Sequence, residues 1–217
     1  MHREDTIKHQ GLRAKLVKEV RRKGIKDEKV LAALGRVPRH LFMDSSFIRF
    51  AYQDNAFPIS SGQTISQPYT VAFQTELLQA EEGMKVLEVG TGSGYQSAIL
   101  LEMGLKVFSI ERIRALFLES QLRLKGLGYS AHFLYGDGYE GNDSYGPYDR
   151  ILVTAGASEI PPKLKNQLKI GGVLIVPVGS RGHQNMIRCV RKGTDDYEIT
   201  SHGGFVFVPL LKGKTES

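Results

Sequence analysis

A glycine-rich turn gives this chain its clearest chemical signal. The turn follows the apolar, strand-like run 86–89 and precedes a segment with helical character. Glycine allows a positive φ and leaves no Cβ between the main chain and a ligand, while the helix that follows points unpaired N–H groups at the same place. The residue types therefore indicate a nucleotide-binding turn. Its predicted cofactor-binding residues are Gly90, Thr91, Gly92, Ser93 and Gly94.

The spacing of these glycines indicates which nucleotide binds. The run reads G-x-G-x-G, whereas a dinucleotide fingerprint reads G-x-G-x-x-G, and Tyr95 or Ser97 occupies the third glycine position here. A second apolar run, 106–110, ends at Glu111, where a carboxylate can accept hydrogen bonds from both ribose hydroxyls. The combination resembles the cofactor site of class I S-adenosylmethionine (SAM) methyltransferases. A nicotinamide site and a purely structural turn remain the alternatives.

Two later segments are expected at the same edge of the sheet. Asp137 and Gly138 follow a predicted third strand, where the aspartate can accept a hydrogen bond from an adenine amino group. The alternative is an aspartate that stabilises a turn or caps a helix. The segment 154–157 reads Thr-Ala-Gly-Ala, whereas enzymes that methylate exocyclic nitrogens commonly carry an Asn/Asp-Pro-Pro-aromatic tetrad at this point. Methylation of nucleic-acid amino groups is therefore disfavoured.

A long stretch without periodicity, residues 51–68, is rich in Asp, Asn, Pro, Ser, Gly and Gln. Compact domains seldom keep irregular segments of this length without a functional reason. We therefore expect an active-site loop here. A helix is predicted directly after it, from Tyr69 to Gln79, with Pro68 at its start.

The elements that position these motifs alternate between strand and helix. The predicted strands are 85–88, 106–110, 132–135, 150–153, 173–178, 185–191 and 198–208, and the helices between them are 96–102, 114–125 and 162–168. This alternation predicts a parallel sheet with helices on both faces, and the last two strands predict an antiparallel pair. The expected fold is α/β: a doubly wound, mostly parallel, seven-stranded, Rossmann-like sheet.

Two helices are predicted before this core, one from Thr6 to about Lys23 and one capped by Asp27. We expect a single domain. Its parts are an N-terminal helical extension at 1–50, the active-site loop at 51–68 and the Rossmann-like core at 69–217.

Charge is distributed unevenly along the chain. The formal net charge is +6, and residues 1–50 hold 13 Lys and Arg against 6 Asp and Glu. The first 50 residues thus account for all of the positive excess, and the nucleotide-binding part that follows is not basic. In the first helix, basic side chains lie mostly outside the apolar stripe formed by Leu12, Leu16, Val17 and Val20. A solvated face of a docked helix is therefore favoured over a polyanion site, and no nucleic-acid partner is expected.

Cysteine and histidine usage predicts neither a disulfide nor a metal site. Cys189 is the single cysteine, and the six histidines show no spacing typical of metal ligands. No apolar run is long enough to span a bilayer, and the first residues are charged, so we expect a cytoplasmic protein without a membrane partner.

Taken in order, several motifs resemble the protein-L-isoaspartate O-methyltransferases. The most specific is Thr64-Ile65-Ser66-Gln67-Pro68, preceded by Asp54-Asn55-Ala56-Phe57-Pro58-Ile59. Other matching segments run in the family's order over roughly residues 36–211. They are Arg39–Phe42, Ala51-Tyr52, Leu87–Gln96, Gly136–Gly138, Pro147–Ile151, Gln167-Leu168, Gly171-Gly172 and Phe207–Leu210.

The resemblance implies that SAM donates a methyl group to the free α-carboxylate of an L-isoaspartyl residue in a damaged protein or peptide, leaving S-adenosyl-L-homocysteine. The ester then cyclises to a succinimide, and hydrolysis returns some normal aspartate. A carboxylate with a pKa near 4 is ionised at neutral pH, so the reaction needs no general base and no metal. The expected partners are isoaspartyl proteins and peptides, and a monomer is expected.

The resemblance also implies residue roles. Ser66 is the catalytic candidate, whose hydroxyl orients the attacking carboxylate, and a cap for the following helix is its alternative role. Thr64 and Ile65 are expected to hold it in place. Asp54 and Val206, the latter on a strand edge at 205–208, are candidates for binding substrate backbone.

Two other classes of function remain open at this point. A SAM-dependent methyltransferase of this kind could act on a small-molecule or nucleic-acid acceptor, and a non-catalytic SAM-binding module would modify no acceptor.

Overall fold

A seven-stranded sheet forms the centre of the computed structural model, which describes residues 4–216. Within these residues the α-helices are α1 (Ile7–Arg22), α2 (Glu28–Arg36), α3 (Pro68–Leu78), α4 (Tyr95–Glu102), α5 (Arg114–Gly126) and α6 (Pro162–Asn166). The strands are β1 (Phe57–Pro58), β2 (Thr64–Ile65), β3 (Lys85–Val89), β4 (Lys106–Glu111), β5 (His132–Tyr135), β6 (Tyr148–Val153), β7 (Leu168–Ser180), β8 (His183–Arg191) and β9 (Tyr197–Phe205).

The strand order in the central sheet is β5-β4-β3-β6-β7-β8-β9. Strands β3 to β7 pair in parallel, while β8 is antiparallel to both β7 and β9. The predicted α/β fold, with its seven strands and antiparallel C-terminal strands, is confirmed. Because β3 lies between β4 and β6, the strand order reverses at β3, and the carboxyl ends of these three strands form the usual ligand-binding edge.

Both faces of this sheet are covered. Val86 packs in a core cluster with the N-terminal helices, α3 and α4, whereas the next residue, Leu87, packs in a second cluster on the opposite face. This alternation follows from the two-residue period of a strand. No helix within residues 4–216 has the length and apolar character needed to cross a bilayer.

The N-terminal helices begin close to where they were predicted, and Asp27 caps α2 as expected. Thr6 accepts a hydrogen bond from the His9 amide, and Asp27 accepts from the amides of Lys29 and Val30. One basic side chain of α1, Arg13, is an exception to the solvated face, because it is 7% exposed and forms an ion pair with Asp5 at 2.9 Å.

Several sequence-based boundaries were wrong, among them the start of β7, which is Leu168 and not 173, and the end of β9. Leu168 is the first residue of β7, not the end of a helix, because it pairs with Tyr148 and is fully buried. Strand β9 ends at Phe205 because the chain then leaves the sheet: the Gly156 amide donates to the Val208 carbonyl at 2.8 Å. Val206 therefore follows the strand and does not lie on the predicted strand edge.

Candidate functional site

The glycine turn joins β3 to α4 with positive φ at each of its glycines: 98° at Gly90, 52° at Gly92 and 87° at Gly94. A Cβ at Gly90 would lie 2.5 Å from the Thr154 hydroxyl oxygen, which donates to the Gly90 carbonyl at 2.7 Å. At Gly92, in contrast, the nearest heavy atom to a Cβ is Ile59 Cδ1 at 3.7 Å. Gly90 is thus required by packing within the protein, whereas Gly92 borders a cavity.

This cavity lies at the carboxyl ends of β3, β4 and β6. Of the predicted cofactor-binding residues, its lining includes Gly90, Thr91, Gly92, Ser93, Glu111 and Gly138. Gly94 and Asp137 are not part of the lining, although both belong to the motifs that the sequence singled out. Most of the predicted set is therefore brought together around one cavity.

Glu111 ends β4 and is 4% exposed. One carboxylate oxygen accepts from the Gly92 amide at 2.9 Å, and the other accepts from the Ile113 amide at 2.9 Å. Each oxygen of a carboxylate can accept about two hydrogen bonds, so both retain capacity for another donor. The geometry fits a carboxylate that is held in place by the backbone and offers acceptors to ribose hydroxyls.

Glu88 is a buried acid to which sequence reasoning assigned no role. One of its oxygens accepts from the hydroxyls of Ser97 and Ser109, and the other, Oε1, has no hydrogen-bond partner within residues 4–216. Thr91 and Ser109 share a 2.6 Å hydrogen bond, which ties the glycine turn to this network. Burial raises the pKa of Glu88 to about 7, because the interior disfavours the charged form more than the serine hydroxyls stabilise it.

Asp137 stabilises the turn after β5. Its carboxylate accepts from the Tyr139 amide at 2.8 Å and from the Gly213 amide at 2.6 Å. This geometry favours a turn-stabilising aspartate, the alternative left open by the sequence, and contact with adenine stays a prediction. Gly138 lines the cavity, and a Cβ there would lie 2.4 Å from Val89 Cγ1.

The expected active-site loop is less irregular than its sequence. It contains an antiparallel pair, in which Phe57 lies opposite Ile65 in the β1–β2 hairpin. Ser66 follows this hairpin, and its hydroxyl forms no hydrogen bond in the part of the chain from 4 to 216. The cap of α3 is Gln67, without a side-chain capping bond, so Ser66 does not serve as the helix cap.

Arg39 holds this loop in place through hydrogen bonds from its buried guanidinium. Its Nε donates to the Ala51 carbonyl at 3.0 Å, Nη1 to the Ser66 carbonyl at 2.7 Å and Nη2 to the Asn55 carbonyl at 3.0 Å. The side chain is fully buried, and Cζ lies 5.1 Å from the ring centroid of Tyr95. Burial lowers the pKa of Arg39 to about 10, which still leaves the guanidinium charged at neutral pH.

Sequence reasoning missed the role of Arg39. Arg39 lies in a segment that resembles the family, but a residue type alone does not reveal contacts with distant carbonyls.

Asp54 lies behind the loop and away from solvent, with a side chain that is 2% exposed. It accepts from the Tyr69 amide at 2.7 Å, from Gln67 Nε2 at 3.0 Å and from Lys23 Nζ at 2.5 Å. These bonds hold the first turn of α3 against the loop. Asp54 therefore supports the loop from the interior, and its contact with substrate backbone stays a prediction.

A second cavity, an open groove, adjoins the first. It is lined by the predicted acceptor residues Thr64, Ser66 and Val206, the last of which is 75% exposed. Ile65 is buried and lines only the first cavity. Residues that line both cavities are Thr64, Ser66, Thr154, Val208 and Pro209. Ser66 therefore lies at the wall where the two cavities meet.

Within the described residues, one group has the composition of a metal site. Ligand atoms of Asp5, His9 and His40 lie within 4.8 Å of one another. The two imidazole rings stack at 3.9 Å, so their in-plane lone pairs do not converge, and both Asp5 oxygens accept hydrogen bonds from Arg13. This arrangement is an ion pair beside stacked rings.

Comparisons with known proteins agree with the interpretation of the cofactor cavity and the loop. Residues 11–215 match the family model described as protein-L-isoaspartate(D-aspartate) O-methyltransferase. A protein-L-isoaspartate O-methyltransferase of Christiangramia forsetii is 57% identical over 97% of this chain and 99% of its own length. One of Cytophaga hutchinsonii is 57% identical over 96% of this chain and 94% of its own.

Solved structures show the same architecture. A Plasmodium falciparum chain, assigned as a beta-aspartate methyltransferase in complex with S-adenosyl-L-homocysteine, is 26% identical with a TM-score of 0.79, over 92% of this chain and 98% of its own. A protein-L-isoaspartate O-methyltransferase with a TM-score of 0.81 is 29% identical, and the match spans 91% of this chain but 65% of that one. This chain belongs to the protein-L-isoaspartate(D-aspartate) O-methyltransferase family.

Proposed function

We propose that this protein transfers the methyl group of SAM to the free α-carboxylate of L-isoaspartyl residues in damaged proteins and peptides. Family membership over nearly the whole chain supports the activity. The observation that carries the proposal is the position of Ser66, which lines both the cofactor cavity and the adjoining groove. A group placed there can contact an acceptor that reaches from the groove to a donor bound in the cofactor cavity.

The first cavity suits SAM as the methyl donor. Its glycine turn leaves room for a ligand beside Gly92, and the Glu111 carboxylate is held by two backbone amides with acceptor capacity to spare for ribose hydroxyls. When bound, SAM supplies an electrophilic methyl group on its sulfonium. Gly90, Thr91, Ser93 and Gly138 complete the proposed donor site, and S-adenosyl-L-homocysteine is the product left in it.

On the acceptor side, the protein has to orient the carboxylate but does not have to activate it. An isoaspartyl carboxylate has an ordinary pKa near 4 and is ionised at neutral pH, so no side chain must take up a proton. We assign Ser66 to hydrogen-bond this carboxylate and to align one lone pair with the methyl group. Well-oriented reactants alone can contribute about 7–11 kcal/mol to a rate.

The hairpin supports this alignment. Thr64 and Ile65 form β2, directly before Ser66, while Arg39 and Asp54 hold the chain on either side through buried hydrogen bonds. We assign Asp54 to positioning, and Val206 to the groove wall that faces the peptide. The methyl ester formed would then close to a succinimide without further help from the protein.

Isoaspartyl proteins and peptides are the proposed partners, and a monomeric, cytoplasmic enzyme is the proposed state. The buried free thiol of Cys189 is compatible with a reducing compartment.

The decisive experiment compares one peptide in two forms, with L-isoaspartate or L-aspartate at the same position. The enzyme is expected to form a base-labile methyl ester on the isoaspartyl form several orders of magnitude faster than on the aspartyl form. Only the isoaspartyl form places its carboxylate in line with the methyl group of SAM. Equal methylation of both forms would point to a general carboxyl methyltransferase. Methylation of small molecules or nucleic acid alone would contradict the proposal, as would SAM binding without transfer.

A further inference from the structure

The groove beside Ser66 has an uneven chemical lining. Where it meets the cofactor cavity, its wall is formed by Ser66, Thr154 and Val208. Arg181 and His202 also line the groove but do not line the cofactor cavity. A peptide whose reacting carboxylate is at Ser66 would therefore bring its neighbouring residues toward this second part.

Aromatic rings line the middle of the groove. Ring centroids lie 5.8 Å apart between Tyr69 and Phe73, 5.1 Å apart between Phe73 and Phe205, and 6.4 Å apart between Phe205 and Phe207. Such a row offers apolar contact to a peptide, and its ring faces attract cations but not carboxylates. A preference for acidic neighbours must therefore come from the remaining lining.

That remaining lining is cationic. Arg181 and Gly182 form the two-residue turn between β7 and β8, so the guanidinium projects from the tip of a hairpin. Across residues 4–216, no hydrogen bond or ion pair engages the Arg181 side chain. The described lining of the groove contains no Asp or Glu. Its other titratable residues are Tyr69 and His202, and His202 shares a 2.8 Å hydrogen bond with Thr200.

We propose that Arg181 gives this enzyme a preference for isoaspartyl sites with an acidic residue, Asp or Glu, nearby in the peptide. This inference rests on the proposed function, since it concerns the same groove. A guanidinium binds a carboxylate through two parallel hydrogen bonds, and Arg181 has no competing partner in the described chain. The contact is exposed, so it strengthens peptide binding modestly and weakens as salt screens it.

The test uses one isoaspartyl peptide in sets that carry Glu, Gln or Lys at single positions on either side of the isoaspartate. For the wild-type enzyme, at one or more of these positions, the Glu peptide should have a kcat/KM about two- to fivefold above the Gln peptide, mainly through KM. The Lys peptide should rank lowest. The difference should shrink at high salt.

The variant Arg181→Glu should reverse the order, so that the Lys peptide ranks first. Its matched control is Arg22→Glu, which makes the same charge change on an exposed residue of α1 that does not line the groove. This control should keep the wild-type order. A turn residue with an exposed side chain can be replaced without disturbing the core, so both variants are expected to fold.

The outcomes separate the two proposals. If the wild-type enzyme methylates all peptides equally at every position, or if Arg22→Glu changes the ranking as much as Arg181→Glu, the role of Arg181 is overturned while the repair activity stands. If no isoaspartyl peptide is methylated at all, the proposed function itself fails.

Discussion

Ser66 presents a hydroxyl that is free of hydrogen bonds within residues 4–216, at the wall shared by two cavities. Glu88, by contrast, is buried with one unpartnered oxygen beneath the glycine turn. We propose that the first residue contacts an acceptor, whereas the second is linked to the turn through Ser109 and Thr91 and to α4 through Ser97. The two polar groups therefore call for different tests.

Replacing Ser66 by alanine should lower turnover on an isoaspartyl peptide roughly ten- to a thousandfold, since an orienting hydrogen bond acts most strongly at the transition state. SAM affinity, measured by calorimetry, should stay nearly unchanged, because the hydroxyl is proposed to orient the acceptor and not the donor. The neighbouring variant Ser61→Ala, in the hairpin turn, serves as a control and should keep normal turnover. A wild-type kcat/KM for Ser66→Ala would remove Ser66 from the catalytic site.

Glu88 should make the stability of the ligand-free protein depend on pH. Its folded-state pKa of about 7 lies above the ordinary value of 4.5, so the folded protein holds a proton that the unfolded chain releases. The contribution is complete below pH 4.5 and is lost as pH rises through 7, which amounts to up to about 3 kcal/mol.

Glu88→Gln should therefore lose less stability than the wild type between pH 5 and 8 in denaturant titrations. Glu81→Gln, at an exposed position, should retain the wild-type slope. Parallel curves for the wild type and Glu88→Gln would show that Glu88 does not titrate in this range.

At the scale of elements, the active-site loop is organised by one buried cation. Arg39 joins Ala51, Asn55 and Ser66, which are far apart in the loop, and its guanidinium packs on the first residue of α4, Tyr95. The acceptor loop and the helix of the cofactor turn are thus attached to the same side chain. A displacement of about 1 Å at a reacting group can reduce a rate on the order of a hundredfold.

Arg39→Lys should accordingly reduce kcat about ten- to a hundredfold, because an ammonium group cannot reach all three carbonyls in the geometry of the guanidinium. SAM affinity should change much less than kcat. Arg36→Lys, whose partner Glu102 lies outside the loop, is the matched control. If kcat is normal in a folded Arg39→Lys protein, the loop does not depend on Arg39 for its alignment.

Elements bounded by clear turn residues could be predicted from the sequence, even the short strand β5, whereas the long strand β7 begins at Leu168 and not at the predicted 173. Strand β3 and helix α5 have clear apolar patterns and turn residues at their ends, so their limits were correct within one residue. The β1–β2 hairpin has two residues per strand, too few for any periodicity to be recognised. Likewise, the end of β9 depends on a bond between Gly156 and Val208, which no local pattern reveals.

The same limit applies to the site. Glu111 and Gly92 were predicted because a motif fixes their positions on the backbone. Arg39 and the true contacts of Asp54 depend on partners from other segments, and those contacts exist only in the folded chain.

Considered as a whole molecule, the N-terminal helices and the sheet share one core. Leu16 of α1 and Leu31 of α2 belong to the same buried cluster as Val86 of β3 and Ile175 of β7. The extension is therefore not a separate unit that could melt alone. The single-domain expectation predicts one cooperative unfolding transition.

Leu31→Ala tests this cooperativity, because the side chain is 2% exposed and its loss leaves a cavity in the shared core. We expect a loss of about 2–5 kcal/mol in the free energy of unfolding. The hydrogen exchange of amides in α2 and β3 should accelerate together. An early transition confined to residues 4–50 would instead show that the extension unfolds independently.

The hydrogen bonds of Asp137 also bear on the chemical ageing of the enzyme itself. Asp137 precedes Gly138, and isoaspartate forms readily at Asp-Gly because a glycine nitrogen has no adjacent side chain to hinder its attack on the aspartyl carboxyl group. In the folded protein this carboxyl group is held by the amides of Tyr139 and Gly213, which restrict its rotation toward the Gly138 nitrogen. We expect the folded enzyme to resist at this position the damage that it repairs, and an unfolded copy to become a substrate for its intact neighbours.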